Sequence, residues 1–166
     1  TSGACNIALG QAALGASVTG CFNVAIGYTA LGGANTTGID NIAIGNSSAD
    51  ALQSGSCNIA LGINALGAAT DNCGNIAIGK AALAASVNDA DNNIAIGITA
   101  LGGADVSGAN NIALGTTSMD ALTSGACNIA LGINALGAAT DNCDNIAIGQ
   151  SALAASVNDG DQNIAI

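Results

Sequence analysis

Large aliphatic residues recur along this chain in pairs held apart by a single alanine. Ile7-Ala8-Leu9, Val24-Ala25-Ile26 and Ile42-Ala43-Ile44 open a series of ten such triplets that ends with Ile164-Ala165-Ile166. An asparagine precedes every triplet: Asn6, Asn23, Asn41, Asn58, Asn75, Asn93, Asn111, Asn128, Asn145 and Asn163, always 17 or 18 residues apart. Gly closes all nine copies that reach that far, and Ala-Leu follows at the seventh and eighth positions after the Asn in seven of them.

Alternation of large and small side chains over three residues is the period of a strand with two unlike faces, whereas a helix would put the two large residues on different sides. Short strands closed by Gly and joined by returns rich in Gly, Asn, Ser, Thr and Asp predict an all-β chain. Its architecture is a parallel β-solenoid (β-roll or β-helix) of about ten 17–18-residue coils. With coils stacked about 4.8 Å apart, the array makes a rod roughly 45 Å long. The expected filling is Ile and Leu inside and alanine outside. The Asn column is expected to bond along the stack, and the Gly to take the positive φ of a tight corner. Disorder and a string of short helical turns are the competing readings, and the fixed Ile, Ala and Gly columns argue against both.

A longer period lies over the short one. Residues 41–96 and 111–166 agree at 45 of 56 positions, so four coils form a 70-residue unit that has been duplicated. Residues 1–166 read as one repeat domain. Because the chain begins inside a repeat and stops in mid-motif, the expectation is a processed or partial piece of a longer array.

Composition narrows the function. The 166 residues include 24 Gly and no Pro, Trp or His, with a single Phe, Tyr and Met, so the core must be built without aromatic bulk. Net charge is −10, and Lys80 is the one basic residue against eleven Asp. That excludes nucleic acid, which needs several cations at phosphates, and attraction to anionic membrane surfaces. No apolar run approaches the roughly 20 residues of a membrane span, so insertion is not expected. Without His, Arg or Glu, and with Ser and Thr lacking an adjacent base, no catalytic constellation forms and no enzyme is expected.

The stretch "NVAIGYTALGGANTTGIDNIAIG", Asn23 to Gly45, resembles the Asn-x-Ala-Ile-Gly-x-x-Ala-Leu repeats of phage and bacterial tail-fibre-like proteins. It is also similar to repeats in the heads of trimeric autotransporter adhesins. That resemblance covers essentially the whole chain. It implies a left-handed parallel β-roll, usually trimeric, displayed outside the cell.

Six cysteines fall as Cys5/Cys21, Cys57/Cys73 and Cys127/Cys143, each pair sixteen apart. Sixteen in a coil of seventeen places both partners near one corner of adjacent coils, at about 5 Å, inside the Cα range of a disulfide. Three disulfides are therefore expected, with interchain crosslinks as the alternative, and an oxidising, extracellular setting with them. Zinc or dithiol redox chemistry would want closely spaced C-x₂₋₄-C pairs, which are absent.

Asp89, Asp91 and Asn93, and again Asp159, Asp161 and Asn163, follow the D-x-D-x-N opening of calcium loops, but the closing Glu is missing. Solvated turn carboxylates are the preferred reading, so no cofactor is expected, and calcium is the alternative these residues leave open. Asn35 and Asn46 begin glycosylation sequons. Together these features predict an extracellular structural protein: a subunit or shaft segment of a filament, sheath, appendage or adhesin fibre. It would assemble as a homo-oligomer or homopolymer through end-to-end and lateral contacts. The alternative is a surface-binding module, ice-binding or receptor-binding, although Thr29, Thr36, Thr99 and Thr116 form no single Thr rank.

Overall fold

A computed structural model of the chain describes residues 3–17, 19–33, 35–86, 90–103, 105–155 and 160–166. Ten strands occupy the ten triplets: β1 Ile7–Leu9, β2 Val24–Ile26, β3 Ile42–Ile44, β4 Ile59–Leu61, β5 Ile76–Ile78, β6 Ile94–Ile96, β7 Ile112–Leu114, β8 Ile129–Leu131, β9 Ile146–Ile148 and β10 Ile164–Ala165. They form one parallel sheet in chain order, with alanine paired to alanine throughout, Ala8 to Ala25 and on to Ala147 with Ala165. The molecule is an all-β parallel β-solenoid, with nine turns separating ten strands and no helix among the described residues.

The faces of the strand are the reverse of the expectation. Ala25, Ala43, Ala60, Ala77, Ala95, Ala113, Ala130 and Ala147 are all fully buried, whereas Ile and Leu on either side face outward and stay partly exposed. Counting the Asn as position 0, the strand turns positions 0 and +2 inward and +1 and +3 outward. The reason is width. The Leu at +8 (Leu31, Leu66, Leu83, Leu101 and Leu136, all fully buried) fill the interior in one cluster with the strand alanines, so the sheet contributes a methyl group to a narrow, close-packed core. In the two coils that lack Leu at +8, Ala49 or Met119 takes the place, and Leu52 or Leu122, three residues on, fills the interior beside it.

Two backbone features make the coils stackable. The Gly at +4 has φ between 120° and 142°, and at every one but Gly149 a Cβ would collide with the carbonyl oxygen of the Gly one coil on, as at Gly45 against Gly62. No L side chain meets both conditions. Non-glycine residues also take positive φ in three columns, at −1, +6 and +8, as in Cys57, Asn64 and Leu66. Such residues cost on the order of 1–2 kcal/mol each, and stacking compensates. Leu66 N–H donates to Ala82 O of the next coil at 3.0 Å, and Asn64 N–H to Asn46 O of the previous one at 2.9 Å.

The extra residue of the longer coils is absorbed in the return. The Asn at 0 bonds to the same station whether 14 residues ahead (Asn41 to Gly55) or 15 (Asn23 to Gly38).

Candidate functional site

Three surfaces carry chemistry: the asparagine ladder that joins coils, the corner just before it, and the outward strand face.

In the ladder, each side chain reaches one coil forward. Oδ1 of Asn58 accepts the backbone N–H of Asn75 at 2.9 Å, and Oδ1 of Asn75 accepts that of Asn93 at 2.8 Å. The Nδ2 group donates to the carbonyl three residues before the next Asn, from Asn58 to Asn72 O and from Asn75 to Ala90 O, both at 2.7 Å. Several Nδ2 groups also donate back to the Oδ1 below, as from Asn41 to Asn23 at 3.1 Å. From Asn23 to Asn145 these amides are buried. The expected ladder is present, and its bonds reach the backbone as well as neighbouring amides.

The corner residues correct the cysteine expectation. No disulfide forms, and Cys5, Cys21, Cys57, Cys73, Cys127 and Cys143 are free thiols. The one-residue offset decides the matter. Cys5, Cys57 and Cys127 stand at −1 with φ near 60° and are exposed, whereas Cys21, Cys73 and Cys143 stand at −2 and are half-buried. Each −2 thiol is engaged elsewhere. The sulfurs of Cys21, Cys73 and Cys143 accept the N–H of Ala4, Ser56 and Ala126 in the previous coil, at 3.3, 3.4 and 3.4 Å. The same thiols donate to the carbonyls of Thr19, Asp71 and Asp141.

Position −2 thus carries a side-chain acceptor in six of the ten coils, a feature that sequence reading missed. Ser56 fills it with Oγ, accepting Ile39 N–H at 3.1 Å, and Asp91 and Asp161 fill it with Oδ1, accepting the N–H of Cys73 and Cys143 at 2.7 Å. The signal was present in part: at this station Cys21, Ser56, Cys73, Asp91, Cys143 and Asp161 can accept, while Ala4, Ile39, Ala109 and Ala126 cannot.

The same bonds bear on the calcium candidates. Asp91 and Asp161 spend an oxygen on the backbone, and the buried amide of Asn93 is committed to Asn111 N–H and Gly108 O. Asn163 donates to Asn145 Oδ1 and Asp161 O. Asp89 and Asp159 lie outside the described residues. Among the described residues no three Cys or Asp side chains converge on one point.

At the sequons, Asn35 and Asn46 are exposed. The hydroxyl of Thr37 is at the surface, but that of Ser48 is buried on Ala60 O at 2.9 Å. Asp50 and Asp120, at equivalent stations of the duplicated unit, have their carboxyls pushed above the ordinary range by burial, against the opposing pull of their own backbone N–H groups and those of Ala51 and Ala121.

The outward face consists of two parallel ranks, Ile7 through Ile164 at +1 and Leu9 through Ile166 at +3. Away from the two ends, Ile42, Ile44, Leu114 and Ile148 are the most exposed members at 37–38%, and both ranks of β4, β5, β6 and β8 are half-buried. Every one of the eleven Asp falls outside positions 0 to +8, so this face is apolar and carries no acid. No cleft opens among the described residues.

These features define the chain as a stacking solenoid with one apolar long face. Compared with protein-family models, curated proteins and solved structures, it matches none.

Proposed function

We propose that the chain is a structural subunit or shaft segment of an extracellular filament, sheath or adhesin-like fibre, assembled by stacking coil on coil. The observation that carries this reading is the polarity of the stack. Toward the next coil, a coil offers the Asn amide and the N–H groups at +1 and +8. Toward the previous one, it offers the N–H groups at −1, 0, +4 and +6, as Asn75 shows at 0 and Gly62 at +4. The forward and backward faces of a coil are complementary to each other and not to themselves. Contact between chains through such faces is head-to-tail and does not close, which is the geometry of a filament.

The free thiols remove the cysteine argument for an oxidising compartment. Display outside the cell rests on the resemblance of the repeat to fibre and adhesin heads. The ice-binding reading loses ground, because the ranked residues on the flat face are Ile and Leu and no Thr rank runs beside them. Electron microscopy of native, unfractionated material tests the proposal. Filaments with an axial rise that is a multiple of about 4.8 Å are expected, and dispersed short rods at every concentration would overturn it.

A further inference from the structure

We infer that the Ile/Leu face pairs with the same face of a second copy of this chain, sheet on sheet, so that rods associate side by side. The inference rests on the reading of the chain as an assembling subunit, and it names the surface that assembly uses laterally.

Three observations single out a second copy as the occupant. The first is area. Ten strands at about 4.8 Å give a face roughly 45 Å long, and two side-chain ranks about 6.6 Å apart give it a width near 12 Å. The flat footprint of roughly 550 Å² is close to the lower end, about 600 Å² per partner, of stable specific interfaces.

The second is charge. A chain of net charge −10 repels its copy, yet its acids all lie off this face, with Asp50 and Asp120 at +9 and Asp91 and Asp161 at −2. Copies can meet here without bringing carboxylates together.

The third is period. Outward residues recur once per coil in both ranks, with alanine paired to alanine and no slip in any strand pair. Only another surface with the same repeat lets every Ile of one rod fall between two of the other. A second copy has that repeat along its full length. Two such sheets pack about 10 Å apart.

Sedimentation velocity on the intact chain, with small-angle scattering for cross-sectional mass, tests this. A two-rod species is expected, with twice the cross-sectional mass of one rod. The double variant Ile44→Glu, Leu114→Glu places carboxylates in the mid-face and is expected to lose the pair while keeping its melting curve. Gln53→Glu with Ser124→Glu adds the same charge at exposed positions off the face and is expected to keep the pair.

Single rods of the unmodified chain throughout the accessible concentration range would overturn the inference without any variant. So would single rods that float with phosphatidylcholine vesicles, which would assign the face to lipid. The two proposals fail separately. Filaments one rod wide would refute lateral pairing alone, and pairs that never lengthen would refute the filament alone.

Discussion

Replacing Asn75 by Ala tests whether the amide ladder holds the coils together. Asn75 is fully buried, with Oδ1 accepting Asn93 N–H at 2.8 Å and Nδ2 donating to Ala90 O at 2.7 Å. Truncation leaves one backbone donor and one backbone acceptor buried without partners. Each orphan costs about 1–3 kcal/mol, so Asn75→Ala is expected to destabilise by roughly 4 kcal/mol. For a chain of 166 residues a loss of 1 kcal/mol lowers Tm by about 2–4 °C, so the expected drop is roughly 8–16 °C.

Asn75→Asp separates the two bonds. The carboxylate still accepts Asn93 N–H, but it faces Ala90 O with no proton to give. Burial and that carbonyl raise the pKa of the new group in the folded state. Its folded form is therefore relatively stabilised below the ordinary Asp range, where the protonated acid can donate, and the advantage is lost as pH rises. Thermal unfolding followed by far-ultraviolet circular dichroism at neutral pH and near pH 3.5 reads both effects. A Tm loss under about 2 °C for Asn75→Ala would refute the reasoning, since orphaned buried groups cannot be that cheap.

Gly62→Ala should be far more damaging than Gly149→Ala. Gly62 combines φ of 139° with a collision against Gly79, whereas Gly149 has φ of 120° and nothing within 4 Å. Equal melting losses would refute the stacking explanation of the column. Asp50→Asn and Asp120→Asn should each raise Tm at neutral pH. Their folded carboxyls titrate above the ordinary value, so the wild-type charge is unfavourable there, and the gain should vanish as pH falls below the ordinary Asp range, which pH-dependent melting checks. Intact mass of fresh protein should show six free thiols, with Cys5, Cys57 and Cys127 alkylated faster than Cys21, Cys73 and Cys143. Cys73→Ser should melt within about 1 °C of wild type because Ser56 already fills that column by an Oγ bond, whereas Cys73→Ala should lose about 1 kcal/mol, a typical net hydrogen bond.

The repeat made the strands, their order and the Asn ladder legible, because each follows from a fixed period and a fixed residue type. Which face of the strand is interior was not legible by ranking hydrophobicity, since the usual assumption sends Ile inward. A different signal carried it. At +3 the chain exchanges Ile for Leu in four of ten copies, as at Leu61, and at +1 Val24 stands once among nine Ile, while at +2 every copy is Ala. Tolerance of size marks a surface, and intolerance marks a close fit. The Asn two residues earlier points the same way, because only an inward amide can meet buried backbone groups at both of its ends. The disulfides failed for a geometric reason that spacing hides: sixteen in a period of seventeen puts the partners one column apart, and −2 is a station where a sulfur already has a donor and an acceptor.

Turning the strand inside out changes what lengthening the array does. The bonds that hold this solenoid run between coils, through the amides at 0, the acceptors at −2 and the backbone, so a single coil has little to hold it and the stack is stabilised at its junctions. Duplicating a four-coil unit therefore adds junctions and stability together. It also adds four more rungs to each of the Ile/Leu ranks, at no increase in acid on that face. Pairing two rods incurs the loss of translational and rotational freedom once, while the apolar area between them grows with every coil. Past some length, side-by-side association must therefore prevail over separation, and before it the rods stay apart. Truncating the array by one 70-residue unit, from ten strands to six, shortens the face to roughly 25 Å by the same spacing. It should return paired rods to single ones in scattering measurements while each remains folded. Pairs that persist undiminished in the truncated chain would show that something other than the strand face joins them.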